Sequence, residues 1–300
     1  MKKFFVGLVI LGLMTSCSSK QSAPSDDVEV SDVRDKSFKA EVNESTSQVQ
    51  LPIDDFLFTD DELRESDSAV LLELSLCMNS EGYPASWSPA ETGIEREWYR
   101  YGRWNKDYAA KLGYTDISSV EGSSPALISE QKFLKEFAEV VNSAEYDKAQ
   151  TKCSSTNSEV RSVMRTMKEL SEELVQMREQ SYFLMMETDD AQQILAEWEE
   201  CLKVSGLERD ESVSPFAIKG VSHDVADEDS IKAALADVKC KEEVHFIQRL
   251  ADIEASFQGP LVQKYQSELV AAQEEIDETI TSNREYLKLN AAKGEALWKP

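Results

Sequence analysis

The sequence predicts an all-α protein: a helical bundle of two disulfide-clamped helical hairpin repeats with a long kinked C-terminal helix. Three observations carry this. Apolar residues recur at helical spacing through most of the chain, while strict alternation is missing and β-branched runs are short. Helix starts and stops punctuate those stripes. A cysteine pattern also occurs twice: Cys77-Met-Asn-Ser-Glu-Gly82-Tyr83 matches Cys201-Leu-Lys-Val-Ser-Gly206-Leu207, and Lys152-Cys153 matches Lys239-Cys240.

Residues 1–16 read as a lipoprotein signal peptide. Lys2 and Lys3 form a positive n-region, and Phe4 to Met14 form an apolar run too short to span a bilayer. Thr15-Ser16 lead into Cys17. This order resembles a bacterial lipobox, with Met14 in place of the usual leucine, and makes Cys17 the expected lipidation site. Two or three acyl chains there supply the double hydrophobic anchor that stable membrane attachment requires. Residues 17–55 are rich in Ser, Asp, Glu, Lys and Gln and read as a disordered tether, reaching about 35 Å as a flexible coil.

Residues 56–156 form the first expected repeat. Thr59-Asp60-Asp61-Glu62 start a helix with capping oxygens and early acids at the positive end of its dipole. Leu63, Val70, Leu74, Cys77 and Met78 share one face, and Gly82 ends it. Ser88-Pro89-Ala90-Glu91 predicts a second start, leading into a helix with Trp98, Tyr99 and Tyr101. Asn105 caps a short helix ending at Gly113, residues 115–128 are a loop, and helices from Ser129 lead to Cys153.

Residues 157–300 form the second repeat. Ser158 to Glu187 reads as one amphipathic helix carrying Val160, Val163, Met164, Met167, Leu170, Leu174 and Met177. Asp189-Asp190 open the next, which ends at Gly206. Residues 207–228 are an acidic loop. A final run from about Asp229 carries Ile231, Leu235, Val238, Ile247, Leu250, Ile253 and Phe257. Gly259-Pro260 is expected to break or kink it, because proline removes a hydrogen bond and disfavours helix in the preceding residue.

Without Cys17, four cysteines remain, an even number suited to an oxidising compartment. Count alone permits three pairings; the repeat selects Cys77–Cys153 and Cys201–Cys240, each worth roughly 4 kcal/mol in the chain-entropy model. No metal site is expected: His223 and His245 are the only histidines, no Cys-x-x-Cys pair exists, and Asp224, Asp227, Glu228 and Asp229 lack the spacing of a calcium loop and instead start a helix.

Two longer blocks, Tyr101-Gly-Arg-Trp-Asn…Tyr108-Ala-Ala-Lys-Leu-Gly-Tyr114 and Asp237-Val-Lys-Cys240-Lys-Glu-Glu-Val244…Glu254-Ala…Gln263-Lys-Tyr265…Leu269, resemble an actinobacterial family of secreted and lipid-anchored proteins with no assigned function. The resemblance spans residues 65–290; the acidity of this chain and its Gly259-Pro260 pair depart from it. It implies a mostly helical extracytoplasmic protein, an accessory of envelope transport or cell-wall assemblies, and it supplies no catalytic residue.

Acids outnumber bases 57 to 32, for a net charge of −25. Such a chain repels nucleic acid and anionic headgroups, so no nucleic-acid partner is expected. Residues 94–114 are the exception, with Arg96, Arg100, Arg103, Lys106 and Lys111 set among Trp98, Tyr99, Tyr101, Trp104, Tyr108 and Tyr114. Aromatic faces beside arginine forks suit carbohydrate rings, carboxylates or a protein hot spot, and equally suit a packed insertion. Trp98, Arg100, Tyr101 and Trp104 are the candidate ligand-binding residues. Ser129-Glu-Gln-Lys132 fits Ser-x-x-Lys but lacks its companion motifs and reads as a helix cap.

The expected function is therefore a lipid-anchored, non-catalytic binding or scaffold protein on the extracytoplasmic face of the cell membrane, with no cofactor. It meets the membrane through its N-terminal lipid and an envelope protein or cell-wall partner through its folded part. The alternative is a carboxylate-dependent cell-wall glycan hydrolase or glycan-binding accessory.

Overall fold

The computed structural model describes residues 34–91, 98–115, 125–155, 160–170 and 172–298. The signal peptide, Cys17 and residues 92–97 and 116–124 lie outside these, as do the side chains of Met167, Leu170 and Leu174. The described residues form a helical bundle of eleven helices with one short hairpin. No described helix is long and apolar enough to cross a membrane.

Helix α1 (Asp60–Ser80) begins at a full capping box, Thr59 with Glu62. Its end and that of α8 (Asp189–Val204) share one geometry. The Tyr83 N–H bonds the Met78 carbonyl while Gly82 bonds Asn79; Leu207 bonds Leu202 while Gly206 bonds Lys203. This is the Schellman arrangement, which places its glycine at positive φ, +88° for Gly82 and +74° for Gly206. Cys77 and Cys201 sit on the last turns of these helices. They bridge to Cys153 on α5 (Ala144–Ser155) and Cys240 on α9 (Glu228–Glu243), with Cα separations of 5.8 and 5.6 Å. The pairing chosen from the repeat is the one present.

Between the bridges, α2 (Lys106–Leu112) is capped by Asn105, and α3 (Pro125–Glu136) and α4 (Ala138–Val141) lead to α5. Ser129 lies inside α3 and does not cap it. Residues 83–91 and 98–105 are irregular, so among the described residues the stretches Ser88–Glu91 and Trp98–Tyr101, expected to be helical, are not; residues 92–97 between them lie outside the described residues. The single helix expected from Ser158 is two, α6 (Val163–Leu170) and α7 (Glu172–Glu187).

The two repeats interlock. Helix α11 (Gln266–Glu295) of the second lies along α1 of the first, where Asn283 bonds Ser66 at 2.9 Å and Arg284 bonds Glu65 at 2.7 Å. Helix α2 packs on α9, and α10 (Phe246–Lys264) lies between α7 and α8. The largest core cluster joins Trp198, Phe246, Leu250, Tyr101 and Phe216.

Residues 34–55, expected within the tether, are folded. A hairpin of β1 (Glu41–Asn43) and β2 (Gln48–Gln50) pairs Val42 with Val49, and Ala40, Val49, Leu51 and Ile53 are buried. Three-residue strands are too short to reveal alternation in sequence. This segment explains the Gly259-Pro260 pair. Helix α10 continues through Pro260 without the expected break, and the interruptions fall at His245 and Tyr265 instead. Proline leaves the Ser256 carbonyl without its helical donor; the Asp35 N–H supplies one at 2.8 Å. Phe38 rests on Gly259, where a Cβ would stand 2.0 Å from its ring. Arg34 bonds Ser256 and Asp190, and Lys39 bonds Asp252.

Gly259→Val is therefore expected to undock residues 34–40. Losing about 1.4 kcal/mol of docking makes trypsin cleavage after Lys39 about tenfold faster, measured by timed digestion against wild type. Equal rates would show that the arm does not need the glycine.

Candidate functional site

Residues 98–105 thread across α9 and α10, held at both ends. The Trp98 N–H donates to the Ser47 carbonyl at 2.9 Å, and Trp104 Nε1 donates to the Trp98 carbonyl at 2.7 Å. Trp104 and Tyr101 are buried and Trp98 is half-buried against the core cluster, so three of the four candidate residues face inward. The fourth, Arg100, meets a fully buried carboxylate, Glu254 on α10.

Glu254 is enclosed by donors. Arg100 reaches its two oxygens at 2.8 and 3.2 Å, the Tyr101 hydroxyl donates at 2.6 Å, and Ser181 and Gln258 each donate at 3.3 Å. Burial pushes its carboxyl above the ordinary 4.5, against the pull of Arg100 and the hydrogen bonds. Burial and the Glu254 charge together push the Tyr101 hydroxyl well up.

A second buried carboxylate, Asp237, sits one turn before Lys241 on α9, and Lys241 bonds it at 3.1 Å. Trp198 Nε1 and the Tyr114 hydroxyl donate to its two oxygens at 2.8 and 3.0 Å. Lys241 also donates to the Arg103 carbonyl at 2.8 Å, fastening the aromatic segment to α9. Burial raises the Asp237 carboxyl, opposed first by Lys241.

The sign for Glu254 follows from linkage. A folded pKa above the unfolded one means that the folded chain holds more protons in the window between them, so stability falls as pH rises through it. Glu254→Gln does not titrate. The stability of wild type relative to this variant is thus expected to fall between about pH 4.5 and about pH 7, read from urea midpoints at the two pH values. A constant difference would contradict the upward shift.

Beside these networks lies a recess of about 370 Å³, lined by Tyr99, Arg100, Gly102, Tyr114, Tyr182, Phe216 and His223, with Val213 to Pro215 as one wall. Tyr99, Val213 and His223 are exposed at its mouth; Tyr114 and Phe216 are buried. The Arg100 guanidinium lies over Tyr182 at 4.7 Å. The basic aromatic segment thus contributes Tyr99, Arg100, Gly102 and Tyr114 to an open site, while Trp98, Tyr101 and Trp104 line none of it. Tyr182, Phe216 and His223 come from α7 and the 207–227 loop, far away in sequence.

The aspartates before α9 behave as expected, Asp227 capping the helix through Ser230 at 2.7 Å. Among the described residues no His, Cys, Asp and Glu gather in a group that could hold a metal. The chain matches no family model, no curated protein and no solved structure.

Proposed function

We propose that this chain is a lipid-anchored binding or scaffold protein on the extracytoplasmic face of a bacterial membrane. The observation that carries the location is the pair of disulfides, Cys77–Cys153 and Cys201–Cys240, behind a leader that runs into Cys17. Bridges of this kind persist in oxidising compartments and are rare in the cytosol. Binding is favoured over catalysis because Glu254 and Asp237, the two fully buried carboxylates with raised pKa among the described residues, have both oxygens engaged by donors from the fold. A glycan hydrolase needs one carboxyl to give a proton to the substrate and another facing it across the bond.

Cells fed labelled palmitate are expected to label wild type and to leave Cys17→Ala unlabelled and outside the membrane fraction. Equal labelling of both would end the reading. Crosslinking on intact cells, followed by recovery of the lipidated protein, is expected to bring down a specific envelope partner.

A further inference from the structure

We infer that the Cys77–Cys153 bridge is a site of thiol–disulfide exchange, opened by a dithiol protein, while Cys201–Cys240 is a permanent staple. Exchange begins when a thiolate attacks one sulfur and the other leaves as a thiolate. It therefore needs a sulfur that can be approached and a solvated place for the leaving charge.

The two bridges differ on both counts. Cys240 is 1% exposed, and Val238 and Lys241 beside it are buried too, so the main cluster closes that sulfur to attack. Its partner Cys201 is half-buried, but attack there releases the Cys240 thiolate into the same cluster, a charge taken out of water. The Lys241 ammonium is engaged by Asp237 and the Arg103 carbonyl. A Glu243 carboxylate oxygen also rests 3.5 Å from Cys201 Sγ and repels an incoming thiolate, an effect that Lys239 on the other oxygen reduces. At the first bridge both Cys77 and Cys153 are half-buried, and Ser80, Glu81, Lys152 and Ser154 near them in the chain are exposed. Lys152 pairs with Glu81 at 2.7 Å across the two helix ends, so a cation stands there beside the carboxylate.

The step balances with a dithiol. Its thiolate attacks Cys153 Sγ, the S–S bond breaks, and Cys77 leaves as a thiolate. The second thiol then attacks the mixed disulfide and Cys153 leaves. The dithiol ends as a disulfide, two electrons oxidised, and its two protons appear on Cys77 and Cys153; attack at Cys77 gives the same products. Packing confines the result. Helix α5 lies on α1 and α4 over the small cluster of Met78, Ala85 and Ala149, whereas α9 lies against α2, α8 and α10. Reduction of the first bridge thus frees α5 from α1 and leaves the main cluster closed. The bridge lies in the fold whatever anchors the chain, so failure of palmitate labelling would leave this inference standing.

In the test, the mature chain in detergent micelles is incubated with dithiothreitol, quenched at intervals with iodoacetamide and mapped by mass. Cys77 and Cys153 are expected to be alkylated about tenfold or more faster than Cys201 and Cys240, with the main unfolding transition retained. A thioredoxin-type protein with its second active-site cysteine changed to serine cannot complete the second attack, and is expected to stay linked to Cys77 or Cys153. The inference is overturned if Cys201 and Cys240 are alkylated first or at the same rate, if neither bridge opens before the chain unfolds, or if the serine variant links to Cys201 or Cys240 or to no cysteine.

Discussion

Lys241→Met is expected to lower the unfolding free energy by about 3–5 kcal/mol. Lys241 is almost completely buried and its partner Asp237 is fully so. Taking the ammonium away leaves a carboxylate in the core with two neutral donors, Trp198 and Tyr114, and no countercharge. Methionine matches the stem of lysine, so cavity formation contributes little. The Arg103 carbonyl also loses the Lys241 donor, which loosens the hold of α9 on the aromatic segment. The double variant Asp237→Asn, Lys241→Met is expected to recover at least half of the loss. Asparagine removes the uncompensated charge, and its carbonyl oxygen can still accept from one of those donors. Urea unfolding of the three proteins gives the comparison. A single variant within about 1 kcal/mol of wild type would mean that the ion pair contributes little beyond its desolvation cost.

The second large effect separates the two disulfides. The chain-entropy model assigns each roughly 4 kcal/mol, since the bridged residues are 39 and 76 apart in sequence. Their surroundings differ. Cys240 is buried in the main cluster and joins α9 to α8, so Cys201→Ser with Cys240→Ser is expected to lower global stability by nearly that amount. Cys77–Cys153 joins α1 to α5 within a small cluster of Met78, Ala85 and Ala149. Its loss is expected to open residues 125–155 locally, with early proteolysis there and a smaller shift of the main unfolding transition. Hydrogen exchange resolves the two patterns; equal, global loss of protection in both variants would contradict this division.

The helix boundaries were legible where chemistry is local. Thr59, Asn105 and Asp227 cap as their side chains require, and Gly82 and Gly206 stop helices in the conformation that glycine permits. The cysteine pairing was legible because the same Schellman stop precedes a bridge twice. Long-range dependence hid the rest. Residues 34–55 look polar, and they are held by partners some 200 positions away, as where the Ile53 backbone N–H donates to Gln258 Oε1. Pro260 obeys no local rule because its orphaned carbonyl is satisfied from Asp35. The 98–105 segment has no helical period to read.

Glu254 did carry a signal. It stands in line with Ile247, Leu250, Phe257 and Leu261, an acid on an apolar stripe, and Asp237 precedes Lys241 by one turn. Only such placement marks the two acids that are buried among the described residues. The recess was half visible, through Tyr99, Arg100 and Tyr114, and half invisible, because α7 and the 207–227 loop complete it.

The intact mass of the protein extracted from membranes tests the central claim most directly. A chain starting at Cys17, heavier by a diacylglyceryl group and lighter by two hydrogens for each disulfide, is the result expected. A mass that retains residues 1–16, lacks the lipid or shows four free thiols would contradict it.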